Sequence, residues 1–466
     1  MSHGGKEQRM PAETPPEEPA APSGPALLLS GARQVDGRAV DVRILGERIE
    51  SVGAAGSLSA PDRLDLTGYL LLPAPTEPHA HLDEAFSATP PLGPGPGPEP
   101  DAVGNAESLQ RRITEAALSA LGYGATVQRT HVRIGGIHGL TAMTAALQAA
   151  RALHGLMELQ VVPLPGRLTG RSGAEGRAAL REALAMGAHA VGGCPDQDPD
   201  PDAHLDVVAA LATECRSPVD LHADLGDPRR LARLAAVFGQ FPQRVTVGPC
   251  TGLELLRPEE AARGIDRLAS AGMAVVLLPQ SGYCVGAAWG RGPVPQRGPE
   301  PMRGPESARG PESAWVPGPE DEPGPGRARA EPRAPVRRLL QAGVAVAAGS
   351  GALRDLANPV GRVDPLEAAF LLAASGELDE VEAYERISGA ARSALGLAPV
   401  LMAPGAPADI LAVRGDTLRG VLSGGHSRVV VHGGRVVSRT SAVREFADTT
   451  APAVPRQGRS GPVTLD

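Results

Sequence analysis

Glu77-Pro78-His79-Ala80-His81-Leu82-Asp83-Glu84 follows closely on the apolar run Tyr69-Leu70-Leu71-Leu72-Pro73. Side chains alternate along a strand, so His79 and His81 are expected to project from one face. Two imidazoles on one face at the end of a buried strand are well placed to grip a divalent metal.

Working outward, seven more apolar runs follow. They are Ala125–Val132, Leu159–Leu164, Ala190–Gly193, Val219–His222, Val245–Gly248, Ala274–Leu278 and Val344–Ala348. Ala/Leu/Arg-rich stretches such as Leu140–Leu153, Arg177–Met186 and Arg229–Phe238 lie between them as helices. Strands alternating with helices give a parallel α/β fold. Eight such units predict a (β/α)₈ barrel of TIM type, whose working groups sit at the C-terminal strand ends.

Both ends of the chain read differently. Leu27-Leu28-Leu29, Val40–Ile44 and Arg48–Val52 are short strands between Gly and Asp turns, and Asp409–Val413, Arg428–Val431 and Gly434–Val437 return the pattern. The expected organisation is a small composite β domain from 26–72 and 399–440, around a barrel at 73–398. Residues 1–25 and 441–466 are expected to be disordered tails. Pro90–Pro100 and a longer insertion at about 286–335 are Pro/Gly-rich, and the second repeats Arg-Gly-Pro-Glu at 297, 303 and 309. Such composition buries too little apolar surface to fold, so disorder is expected there, with Trp315 either a docking anchor or an inert exposed residue.

The formal charge of -8, with both signs interspersed, argues against nucleic acid or an anionic membrane as partner. Met1–Pro25 has no apolar segment of the signal-peptide kind, and no run approaches the ~18 residues of a membrane span. Cys194, Cys215, Cys250 and Cys284 form no CxxC pair, so neither a disulfide framework nor a zinc knuckle is implied. A cytoplasmic protein is the expectation. Lys6 is the only lysine and falls in the expected tail. A two-metal site bridged by a carboxylated lysine is thereby disfavoured, leaving at most one metal.

The His79/His81 run resembles the first metal-binding strand of the amidohydrolase superfamily, with flanks most like cytosine deaminase and its relatives. Arg129-Thr130-His131-Val132, Gly192-Gly193-Cys194-Pro195, Asn358-Pro359-Val360-Gly361, Leu366-Glu367-Ala368 and Pro404–Asp409 match as well, in order. The resemblance implies hydrolysis of non-peptide C–N bonds in cyclic amidines or amides by a metal-activated water. It implies one divalent metal, zinc or iron, held by His79, His81 and His222. A small-molecule substrate or ligand would be the partner, with a second copy or an active homologue as further candidates.

Three positions depart from the family pattern. Leu225 stands where the proton-shuttling Glu would be, Pro249 where a water-polarising His would be, and Gly351 where the metal-binding Asp would be. Asp224 is the nearest substitute base, and Asp196 takes a position linked to substrate recognition. Cys194, Cys250 and Cys284 map near strand C-terminal ends and are alternative ligands. These replacements imply impaired or altered chemistry, or a catalytically inactive pseudoenzyme that binds a ligand or partner.

Overall fold

The structure is a computed structural model, and it describes residues 25–88, 105–136, 139–280 and 336–443. The expected tails (apart from Pro25 and 441–443), the Pro90–Pro100 stretch, Cys284 and the long insertion with Trp315 lie outside the described residues.

The chain begins with β1 (Ala26–Arg33), β2 (Ala39–Leu45), β3 (Arg48–Ala54), β4 (Asp62–Asp65) and β5 (Tyr69–Pro73). In β2 the alternation Val40, Val42, Ile44 is buried on one face, and Gly46 at φ +58° starts the two-residue turn into β3. Asp41, on the other face, is also buried and accepts from the Gly31 and Gly56 amides at 3.0 and 2.9 Å.

Eight strands then run in chain order: β6 (Thr76–Ala80), β7 (Val127–Ile134), β8 (Glu158–Pro165), β9 (Val191–Gly193), β10 (Val219–Ala223), β11 (Val245–Pro249), β12 (Ala274–Leu277) and β13 (Ala345–Ala348). They correspond to the eight expected from the sequence. Every pairing among them is parallel, in the orders β6-β7-β8 and β9-β10-β11-β12-β13. β8 packs beside β9, and β13 beside β6. Glu77 of β6 accepts from the Ser350 amide at 2.8 Å and from the Ser350 hydroxyl, tying the first strand to the segment just past the last.

Helices α1 (Ala106–Gly122), α2 (Thr141–Ala152), α3 (Ala174–Ala185), α4 (Pro201–Cys215), α5 (Pro228–Phe238), α6 (Pro258–Ser270), α7 (Val336–Gln341) and α8 (Pro365–Ala374) alternate with these strands. Three of them start at an Asp-Pro pair. Asp200, Asp227 and Asp364 each cap a backbone amide of the first turn, and the following Pro supplies a preset φ where no amide is needed. Side chains such as Ile113, Val208, Leu221, Val247, Leu268 and Val275 fill one continuous core.

After α9 (Glu380–Ile387) and α10 (Gly389–Leu395), β14 (Ile410–Arg414) returns to the first sheet, followed by α11 (Leu418–Gly424), β15 (Arg428–His432) and β16 (Arg435–Thr440). That sheet has the order β16-β15-β14-β5-β1-β2-β3, with β4 on β1, so both chain ends build it. Arg428 of β15 joins it to the rest of the molecule through a buried two-pronged pair with Asp364, at 2.9 and 2.8 Å.

Tyr69–Pro73 is a strand of the first sheet, β5, paired antiparallel with β14. The chain breaks at Ala74-Pro75 and restarts as β6. Between Glu77 and Ala80 the register on β7 slips by one residue, a bulge in place of strict alternation.

Candidate metal centre

His79 lies in the bulged stretch of β6, His81 one residue beyond its end, and His222 near the end of β10. His79 and His81 are fully or nearly fully buried. The bulge re-aims the two rings, yet they still meet, with centroids 5.3 Å apart; His222 lies 5.1 Å from each. One nitrogen from each of the three falls within 4.8 Å of the others. His79 Nε2 and His222 Nδ1 are 3.1 Å apart. Two nitrogens on a tetrahedral zinc at ~2.05 Å would be roughly 3.3 Å apart, so the observed spacing suits a shared cation.

Electrostatics favour the neutral, ligating form. Burial and the surrounding imidazoles hold His79 and His81 well below the usual histidine range. Burial, with His131 next in weight, brings His222 down to about 3. Metal ligands must be deprotonated, so these rings already carry the lone pairs a cation needs. On these observations the donor set fits a divalent metal.

A fourth imidazole adjoins the three. The His131 ring of β7 stacks 4.0 Å from His79, and its Nε2 is 3.1 Å from Asp220 Oδ1. Arg129 Nη1 donates to the other Asp220 oxygen at 2.6 Å, and Arg129 also reaches Gln160 at 3.1 and 2.7 Å. Burial alone would raise the Asp220 carboxyl, but His131 and Arg129 outweigh it and keep the group ionised. His79, His131 and Asp220 form a second group able to hold a cation, sharing His79 with the first. Spacing arguments missed His131 as a site residue. The signal was the period-two row Arg129, His131, Arg133 on one face of a largely buried strand, which has to face a polar interior.

The three departing positions are built into the packing. Leu225 is buried with φ +58°, and Pro249 is buried at the end of β11. Gly351 has φ +79°, and its carbonyl accepts from the His81 amide at 3.2 Å. A Cβ there would come within 2.9 Å of Leu278 Cδ1.

Asp224 and Asp196 sit together on the rim. Asp196 accepts from the Asp224 amide at 2.8 Å and from Arg230 at 2.9 Å, while the exposed Asp224 carboxylate accepts from the Thr251 hydroxyl. Neither carboxylate belongs to a metal-competent group with the histidines among the described residues. The same holds for Cys194, whose thiol burial pushes up to about 12, and for Cys250, which burial also holds well above the usual thiol range.

Beside His81, the buried Asp83 accepts from the Arg133 amide at 3.1 Å, and Arg133 Nε pairs with Glu84 at 2.6 Å. Burial, and the negative charge of Asp83, push Glu84 up to about 8. Glu77, sealed beneath His79, is pushed up to about 7 by burial despite the hydrogen bonds from Ser350. Among the described residues no helix is long and apolar enough to cross a membrane.

No protein-family model matches the chain. Among characterised proteins it is similar to N-isopropylammelide isopropyl amidohydrolase of Pseudomonas sp. (strain ADP), at 27% identity over 206 residues, 40% of this chain and 50% of that protein. It is also similar to pterin deaminase of Rhizobium rhizogenes, at 25% identity over 257 residues, 51% of this chain and 58% of that protein. The chain thus spans little more than half the length of these relatives. In three dimensions it matches N-isopropylammelide isopropylaminohydrolase of Burkholderia multivorans with a TM-score of 0.68 and 25% identity, covering 89% of this chain and 99% of the other. It matches 5-methylcytosine deaminase of Klebsiella pneumoniae, solved with phosphonocytosine, with a TM-score of 0.70 and 18% identity, covering 91% and 100%. The chain is therefore similar to amidohydrolase-family deaminases and hydrolases, in sequence over part of its length and in fold over nearly all of it.

Proposed function

We propose that this protein is a one-metal hydrolase of C–N bonds in cyclic amides or amidines, with altered acid–base equipment. The observation that carries this reading is the group of three neutral imidazoles, His79, His81 and His222, with nitrogens within 4.8 Å at the C-terminal ends of parallel strands. A bound zinc or iron would supply Lewis acidity and lower the pKa of water.

The chain's own groups do the rest. His79, His81 and His222 hold the cation, and Asp220 fixes His131 against His79. Leu225, Pro249 and Gly351 can move no proton, so acid–base work falls to other groups. Asp224 is the short substitute for the absent Glu, and it has to leave Thr251 to reach a ring over the histidines. Asp196 then orients that loop through the Asp224 amide. The likeness to proteins named for isopropylammelide and pterin supports a nitrogen-rich ring as substrate. A cytoplasmic setting belongs to the same reading.

One set of observations favours a second reading, a ligand-binding protein without catalysis. Leu225 and Pro249 are packed in where the family's proton-shuttling Glu and water-polarising His would be, Gly351 stands where its metal-binding Asp would be, and missing general acid–base assistance typically costs ~10²–10⁴ in rate. Release of ammonia or an amine from a panel of cyclic amidines and amides by zinc- or iron-loaded protein separates the two. Turnover that disappears in His222→Ala supports the hydrolase. Ligand binding without turnover supports the second reading.

A further inference from the structure

A cleft opens at the C-terminal ends of β7 and β8, reaching Arg133, two residues beyond His131. Its volume is about 350 Å³, and its lining includes Arg133, Gly136, Gly166, Arg167, Ser172 and Glu175. Pockets of this size suit a small ligand or a substituent of one.

Arg133 connects the cleft to the centre. It stands two residues beyond His131 on β7, and its charge bears on both His81 and His222. Arg167 comes from the segment after β8, exposed to solvent, with Nη1 set by the Ser172 hydroxyl at 2.9 Å. Nothing lies within 4 Å of where a Cβ would stand on Gly136 or Gly166, so the walls between the guanidinium groups are open backbone. Glu175 contributes the opposing charge, and Glu84 pairs with Arg133 from the other side. Two guanidiniums on one small cleft are notable in a chain of net charge -8. A planar guanidinium matches a carboxylate with two parallel hydrogen bonds.

We propose that this cleft seats a carboxylate carried by the substrate, while the ring bearing it lies over the histidines. The inference rests on the hydrolase reading for the word substrate, but its test needs neither metal nor turnover.

Metal-free full-length protein is titrated by calorimetry at low salt with orotate, a ring bearing a carboxylate, and with uracil, the same ring without it. The expected result is orotate binding at least about tenfold tighter. Arg167→Ala removes most of that difference and Arg167→Lys restores part of it. Equal affinities, no binding of either ring, or a difference untouched by Arg167→Ala would overturn the proposal. So would inorganic phosphate competing as strongly as orotate, because the cleft would then hold a free anion. A hydrolase screen that fails while orotate binding tracks Arg167 would sink the catalytic reading and leave the anion site standing.

Discussion

His79 Nε2 and His222 Nδ1, from strands 143 residues apart in sequence, stand 3.1 Å from one another. Two imidazole lone pairs at that distance repel unless a proton or a cation lies between them. Burial keeps both rings neutral, which leaves one hydrogen bond in the metal-free protein and a shared cation in the loaded one.

Cobalt reports on this directly. Loading with Co²⁺ is predicted to give the intense visible bands of a four-coordinate site, with about one equivalent bound. His222→Ala is predicted to abolish the bands. Weak, octahedral-type bands unchanged by the substitution would place the cation elsewhere.

Asp220 touches His131, and Arg129 holds Asp220 in place. Outer partners of this kind typically matter 10–100-fold in metal affinity, so Asp220→Asn is predicted to weaken zinc by roughly that factor. Removing Arg129 instead strands a buried carboxylate. Arg129→Met is therefore predicted to cost about 3–5 kcal/mol in urea unfolding, with the metal-free protein compared. Unchanged affinity in a folded Asp220→Asn would remove His131 and Asp220 from the site.

The three departing positions can be reversed together. Leu225→Glu, Pro249→His and Gly351→Asp are predicted to raise ammonia release from a cyclic amidine by about 10²-fold or more over the wild type. Gly351→Asp carries its own cost. A side chain on left-handed backbone is strained by roughly 1–2 kcal/mol, and Leu278 has to shift as well. A folded, metal-loaded triple variant with no gain would mean that those positions are not the cause of altered chemistry.

Asp198 gives a pH signature independent of any metal. Burial would raise its carboxyl, but hydrogen bonds from the Thr169 hydroxyl, the Leu168 amide at 2.6 Å and His204 at 3.0 Å outweigh it and bring it down to about 2 from 3.8. A depressed carboxyl stabilises the fold above its unfolded pKa, and that contribution fades as pH falls through the folded value. Urea midpoints of the metal-free protein are predicted to drop between pH 4 and 2, with a visibly shallower drop in Asp198→Asn. Identical profiles would contradict this role.

Most of the eight strands were legible as short buried runs rich in Val, Leu and Ala between helical stretches, and β6 from its His79-Ala80-His81 motif. The two ends forming one sheet were legible for the same reason. The strand that Leu70–Leu72 pairs with was not, because its partner β14 lies more than 300 residues away. That His79, His81 and His222 come together was legible from local motifs. Side-chain direction was not. Nothing local says that Asp224 turns to Thr251, or that His131 stacks on His79 across the interior.

Elemental analysis of the purified protein beside His79→Ala/His81→Ala tests the central claim most directly. The account predicts about one zinc or iron per chain in the wild type and loss of it in the variant. No metal in the wild type after reconstitution, or equal metal in both proteins, would contradict it.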